Sequence, residues 1–187
     1  MRFPLEIQGL LRDKTLQQES IGLSGAGVWM SQDLVLKAEP LSRESANAAD
    51  MMTWLQGKLP VPQLQCRVVE QDMDFQLMSR LPGRMACDRF WMEQPEQLAQ
   101  MLARALKLLW SVNVTDCPCT QSLDHKLEEA AIRVEQGRVD PAECDPATFE
   151  PGGFASPEHL LRWLRDNRPP ADPVLSHGDL CLPNLLI

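Results

Sequence analysis

The chain has 187 residues, 44% of them apolar and 24% charged, and a formal net charge of −8. That balance is ordinary for a folded globular protein and argues against wholesale disorder, while the length suits one sizeable core or two small ones. The negative charge argues against a nucleic-acid partner, which would be held through clustered Lys and Arg; it suits a cationic ligand and also serves solubility by itself.

The opening residues Met1-Arg2-Phe3-Pro4-Leu5-Glu6 contain no apolar signal core, and nowhere do eighteen apolar residues run together, so no membrane partner is expected. Short apolar runs at Ser20 to Leu23, Val28 to Met30 and Leu34 to Lys37 are split by Ser24-Gly25-Ala26-Gly27 and Ser31-Gln32-Asp33, a pattern that predicts antiparallel hairpins. A helix is predicted from Ser42 to Leu55, stopped by Gly57, Pro60 and Pro62. Two further strands, Leu64 to Val69 and Asp74 to Met78, are joined through the polar turn Glu70-Gln71-Asp72, so the front of the chain reads β-β-α-β-β.

Beyond Pro82-Gly83 the apolar period changes from about two residues to about 3.6. Leu98, Met101, Leu102, Ala105, Leu108 and Leu109 share one face of a helix predicted from Glu96 to Trp110. A second is predicted from Leu123 to Gln136 with Gly137 at its end, and a third starts at Ser156-Pro157, with Leu160, Leu161 and Leu164 as its buried stripe. The fold class is therefore α+β, a small antiparallel β-rich part over 1–81 and a helical part over 82–187. Six cysteines, at 66, 87, 117, 119, 144 and 181, match neither a zinc knuckle nor a C-x-x-C pair; they read as reduced thiols of a cytoplasmic protein.

Three segments can carry chemistry. The small residues Ser24, Gly25 and Gly27 between two strands let backbone N–H groups approach phosphate oxygens. Lys37 ends the run Leu34-Val35-Leu36, as the phosphate-pairing Lys of kinases ends a strand. Ser176-His177-Gly178-Asp179-Leu180-Cys181-Leu182-Pro183-Asn184 has the His, Asp and Asn spacing of the kinase catalytic loop H-x-D-x-x-x-x-N, and Val174-Leu175 predicts a buried strand leading into it. In that pattern Asp179 accepts the proton of an incoming hydroxyl and Asn184 holds Mg²⁺ through its carbonyl oxygen.

Together Gly22-Leu23-Ser24-Gly25-Ala26-Gly27-Val28, the Asp50 to Pro62 segment, Asp116-Cys117-Pro118 and Ser176 to Asn184 resemble the aminoglycoside 3′-phosphotransferases over nearly the whole chain. The resemblance implies a protein-kinase-like fold with ATP between a β-rich and a helical lobe, and transfer of its γ-phosphate to a sugar hydroxyl of antibiotics such as kanamycin and neomycin. It also implies that Met78, Ser79 and Leu81 belong to the connector whose backbone meets adenine, and that His177 braces the catalytic loop. The family's helix Glu falls at Ala48, for which Glu44, one turn earlier, is a candidate substitute. A second metal-binding Asp and the C-terminal substrate-binding helices of the family would fall after Ile187, so the chain looks cut short, and these 187 residues alone are expected to be nearly inactive.

From Asp140 to His159 five acids occur without a Lys or Arg. Such a stretch suits an aminoglycoside, whose ammonium groups are oriented by charge-assisted hydrogen bonds, and Asp145 and Glu150 are the nearest matches to the family's substrate loop. The expected activity is an ATP- and Mg²⁺-dependent aminoglycoside 3′-phosphotransferase; the alternatives are a kinase of another small hydroxylated substrate and a non-catalytic nucleotide-binding lobe.

Overall fold

A computed structural model of the protein describes residues 2–19, 26–149 and 151–187. Helix α1 (Leu5–Leu10) precedes strands β1 (Gln17–Glu19), β2 (Gly27–Met30) and β3 (Leu34–Pro40); α2 (Arg43–Trp54) then leads to β4 (Leu64–Glu70) and β5 (Met73–Ser79). The five strands form one antiparallel sheet in the order β1-β2-β3-β5-β4. The hairpins expected between β2 and β3 and between β4 and β5 are present. Strand β1 was not anticipated, and the strand expected from Ser20 to Leu23 lies outside the described residues, as do Ser24 and Gly25.

Alternation along β3 sorts its side chains between two faces. Leu36 and Ala38, with Phe75 and Leu77 across on β5, are buried against Ile7 and Leu11 and form the core beneath α1. Lys37 and Glu39 project from the opposite face, in register with Gln76 and Asp74. Helix α2 covers that second face: Ser45 and Ala49 are buried, and Gln76 donates from Nε2 to the Ser45 carbonyl at 2.8 Å. The helix starts where Ser42 and Ser45 form a reciprocal capping box, each side chain accepting from the other's backbone N–H.

The central strand β5 therefore buries polar groups on one side and apolar groups on the other. Asp74 is fully buried and receives Arg67 through three contacts of 2.8 to 3.2 Å, plus Gln76 Nε2 at 3.1 Å. Desolvation pushes its carboxyl up, but hydrogen bonds from Arg67, Gln76 and Ser45 outweigh that and hold it below the usual aspartate value. The turn between β4 and β5 places Gln71 and Asp72 at φ 52° and 59°, a left-handed pair that lets the two strands keep their twist.

Helices α3 (Arg89–Met92), α4 (Pro95–Trp110), α5 (Leu123–Glu135), α6 (Pro146–Phe149) and α7 (Pro157–Asp166) follow. Ser122 and Ser156 cap α5 and α7 by accepting from His125 and His159, and Gly137 follows α5 at φ 62°. The leucine stripe of α7 is less buried than expected: Leu160 and Leu161 are half-buried, and Leu164 is 38% exposed along a hollow shared with α5.

The chain packs as two compact units, Met1–Cys119 with Val174–Ile187, and Thr120–Pro173. This packing division differs from a boundary at residue 82, because residues 84–86 pair antiparallel with 185–187 and draw the C-terminal segment into the unit that holds the sheet.

Since the lowered Asp74 carboxyl contributes stability that is complete above the usual aspartate pKa and is lost as pH falls through the folded value, acid melting isolates it. Asp74→Ala is expected to cost about 3 kcal/mol by leaving Arg67 unpaired. In Asp74→Asn the melting temperature is expected to fall less steeply below about pH 4 than in the parent protein; thermal melts across pH check both.

Candidate active site

The segment bearing His177, Asp179 and Asn184 is shaped by two constraints. Gly178 takes φ 83°, a left-handed conformation that L side chains rarely adopt, and so turns the chain between His177 and Asp179. The far end is fixed by pairing: Ala86 N–H donates to the Leu185 carbonyl at 2.8 Å, and Arg84 and Ile187 exchange backbone bonds of 2.9 and 2.8 Å. Gly83 sits at this junction, where a Cβ would stand 3.1 Å from the Ile187 carbonyl oxygen.

The structure brings Asp179 and Asn184 together. Asn184 closes a short 3₁₀ turn (Leu182–Asn184), and its Nδ2 donates to the Asp179 carbonyl at 3.0 Å and to Asp179 Oδ2 at 2.9 Å. Both side chains are exposed, so a carboxylate of fixed orientation meets solvent. Because Nδ2 is committed to Asp179, Oδ1 is the Asn184 atom left to face a cation. Desolvation, and then the proximity and charge of Asp179, push the Cys181 thiol above its usual value, which keeps that neighbour protonated.

Two expectations about this segment change. Val174-Leu175 is not a strand: Leu175 is buried, but Val174 is 47% exposed, and the backbone pairing of this region is made by residues 185–187 instead. His177, expected to brace the loop, is exposed and makes no hydrogen bond among the described residues.

Lys37 lies on the α2 side of the sheet, with Val28 on β2 and Gln76 on β5 as its register partners. Its Nζ is 2.7 Å from Glu39 Oε1. Sequence reading passed over Glu39, although Lys37-x-Glu39 has the two-residue spacing that puts both side chains on one strand face. Gly27 begins β2 opposite Ala38, and the Trp29 ring fills the space where a Cβ would be, 2.3 Å away. Met78 and Ser79 belong to β5 rather than to a free connector. The Ser79 N–H donates to the Gln63 carbonyl at 2.9 Å and the Arg80 N–H to the Asp33 carbonyl at 2.8 Å; half-buried Leu81 follows.

The acidic stretch belongs to the other unit. Asp145 is exposed, and its Oδ1 accepts the Ala147 N–H at 2.9 Å where α6 begins; Asp140 does the same for Ala142. Glu150 lies outside the described residues. A contact with the Ser156 side chain holds the exposed Glu158 carboxyl below its usual value. Among the described residues no three His, Cys, Asp or Glu side chains gather into a metal-sized cluster. No helix among the described residues is long and apolar enough to cross a membrane.

Comparison with known proteins supplies an independent finding. The model of the phosphotransferase enzyme family matches residues 17–187. The chain is 30% identical over 189 residues to an aminoglycoside 3′-phosphotransferase of Staphylococcus aureus, covering 96% of this chain and 71% of that protein. Among solved structures it resembles an aminoglycoside-3′-phosphotransferase of type VIII, with TM-score 0.70 and 30% identity over 97% of this chain and 70% of the other. It also shares its fold with an aminoglycoside phosphotransferase of Streptomyces rimosus solved with ADP and streptomycin, with TM-score 0.66 and 22% identity over 97% of this chain and 70% of that one. The antiparallel sheet and its helices are thus the protein-kinase-like fold of these enzymes.

The turn at Gly178 gives a local test. Gly178→Ala is expected to cost roughly 1 kcal/mol, because alanine is strained at this φ, and Gly178→Asn less than half of that. Urea unfolding of the two variants measures the difference; equal stabilities would contradict the left-handed turn.

Proposed function

The chain belongs to the phosphotransferase enzyme family, and from that premise we propose that it transfers the γ-phosphate of ATP to a hydroxyl of an aminoglycoside of the kanamycin and neomycin type. The observation that carries the reading is the Asp179–Asn184 pair, a carboxylate held by an amide whose own oxygen stays open. Its support in kind comes from the relatives, which are named for this activity.

In this mechanism Asp179 orients the attacking hydroxyl and accepts its proton, with the carboxylate held by Asn184 Nδ2 rather than free to rotate. Asn184 Oδ1 would hold Mg²⁺ together with phosphate oxygens; the ion, when bound, neutralises charge on the transferring group. Lys37 takes the α- and β-phosphates from the polar face of the sheet. Ser24, Gly25 and Gly27 would line the phosphates through backbone N–H groups. Because Ser79 and Arg80 already use their N–H groups within the protein, the backbone N–H offered to adenine would be that of Leu81. His177 is kept only as an exposed neighbour of Asp179.

The cationic drug suits the acidic stretch, where Asp145 and Glu150 would pair with ammonium groups. Asp145 has one oxygen in its cap and a second available to a ligand. A soluble cytoplasmic location fits the reduced cysteines, all six of which are unpaired.

Two measurements, made on the chain completed with the C-terminal residues of its relatives because these 187 residues alone are expected to be nearly inactive, test the reading. Asp179→Asn is expected to lower kanamycin-dependent ADP release by about 10²-fold or more with an unchanged melting temperature; turnover at the parent rate, or release stimulated by another hydroxylated substrate and not by kanamycin or neomycin, contradicts it. For Asp145, Asn preserves the cap and removes the charge, whereas Ala removes both. Asp145→Asn is expected to raise the kanamycin KM about fivefold at unchanged stability, and Asp145→Ala to raise it similarly while also losing about 1 kcal/mol. A KM that moves only in the alanine variant assigns Asp145 to the cap alone.

A further inference from the structure

A lysine that holds phosphates needs a partner. Its ammonium sits on a flexible four-carbon stem, and protein kinases fix the corresponding strand lysine with a glutamate from the adjoining helix. Here the helix over that face, α2, turns Ser45 and Ala49 toward the sheet, and its carboxylates, Glu44 and Asp50, are exposed.

The sheet itself supplies a carboxylate. Glu39 lies two residues beyond Lys37 on the same face of β3, its side chain is 19% exposed, and its Oε1 is 2.7 Å from Lys37 Nζ. The backbone on either side is clamped, Ala38 against Phe75 and Pro40 against Met73, so Glu39 projects from a rigid element. That Oε1 is buried and has no aligned hydrogen bond, which leaves the Lys37 charge as its compensation. Directly across on β5, Asp74 adds a like charge but takes its own cation, Arg67. Each carboxylate on this face thus has one cation, and the neighbouring negative charge makes Glu39 costly to strand without Lys37.

We propose that Glu39 is the positioning residue of Lys37, a strand carboxylate that holds the ammonium in place for nucleotide phosphates. An ammonium carries three N–H donors, so an ion pair with Glu39 leaves donors for phosphate oxygens. The proposal rests on the phosphotransferase reading of Lys37 and adds to it the source of the lysine's orientation.

A double-mutant cycle tests it by binding alone, with a non-hydrolysable ATP analogue and adenosine as probes measured by calorimetry, and the melting temperature followed for each variant. Lys37→Met is expected to weaken the analogue and leave adenosine unchanged. Glu39→Gln, nearly isosteric, is expected to weaken the analogue about fivefold, leave adenosine unchanged, and have no further effect in the Lys37→Met background. Glu39→Asp is expected to restore part of the loss, a rescue that a purely structural role would not give. The inference is overturned if Glu39→Gln leaves analogue affinity intact, if it weakens adenosine equally, if its effect persists without Lys37, or if Glu44→Gln shows the coupling instead. Failure of Lys37→Met to weaken the analogue would remove the phosphotransferase reading of Lys37 itself, a result separable from failure at Glu39.

Discussion

The alternation of β3 is the constraint on which the remainder of the molecule depends. Leu36 and Ala38 are committed to the core with Ile7, Phe75 and Leu77, and this commitment presents Lys37 and Glu39 on the other face. A slip of one residue in the β3–β5 register would put the lysine in the core and a leucine under α2. Apolar burial therefore selects the face of the sheet from which Lys37 projects. The polar groups there, Arg67, Asp74, Gln76 and Ser45, then complete one another beneath α2. A charged network is tolerated at this depth because nearly every donor and acceptor in it finds a partner.

The segment from Leu175 to Ile187 follows a different logic. It has little core of its own, with Leu175 as its buried anchor. Its shape comes from a left-handed glycine at one end and the paired backbones of 84–86 and 185–187 at the other. Between these fixed points Asn184 reaches back to Asp179, so the two polar side chains of the motif determine each other's orientation. Sheet and loop thus use complementary means, burial in the one and backbone pairing in the other, to fix exposed polar groups within a single compact unit.

Much of this was legible in the sequence where local chemistry and burial agree. The start of α2 at Ser42, the Ser156 cap, Gly137 and the alternation of β3 follow from residue type and spacing, whereas of the stripe expected on α4 only Leu98 is buried and Leu108 is 48% exposed. Helix α1 escaped because its six residues offer a single buried side chain, Ile7, and contain Gly9. Strand β1 is three polar residues whose pairing with β2 comes from the neighbour, not from its own propensity. Val174-Leu175 read as a strand from its β-branched and apolar content, yet a strand also requires a partner. At the site, the motif gave Asp179, Asn184 and Lys37, but not who holds whom: Glu39 sat within a strand already assigned, and Asp145 read as a ligand although its position before Pro146 also suits a cap.

The proposed function requires Lys37 and the Asp179–Asn184 pair to serve one metal-bound nucleotide. Replacing the metal with Mn²⁺ in an ADP complex and recording paramagnetic broadening of the Lys37 and Asn184 amide resonances examines that without reliance on turnover. Broadening of both resonances, strongest at the Asn184 side chain and abolished by excess Mg²⁺, is expected. Broadening at one of the two with the other untouched would place these groups at separate sites and contradict the shared one.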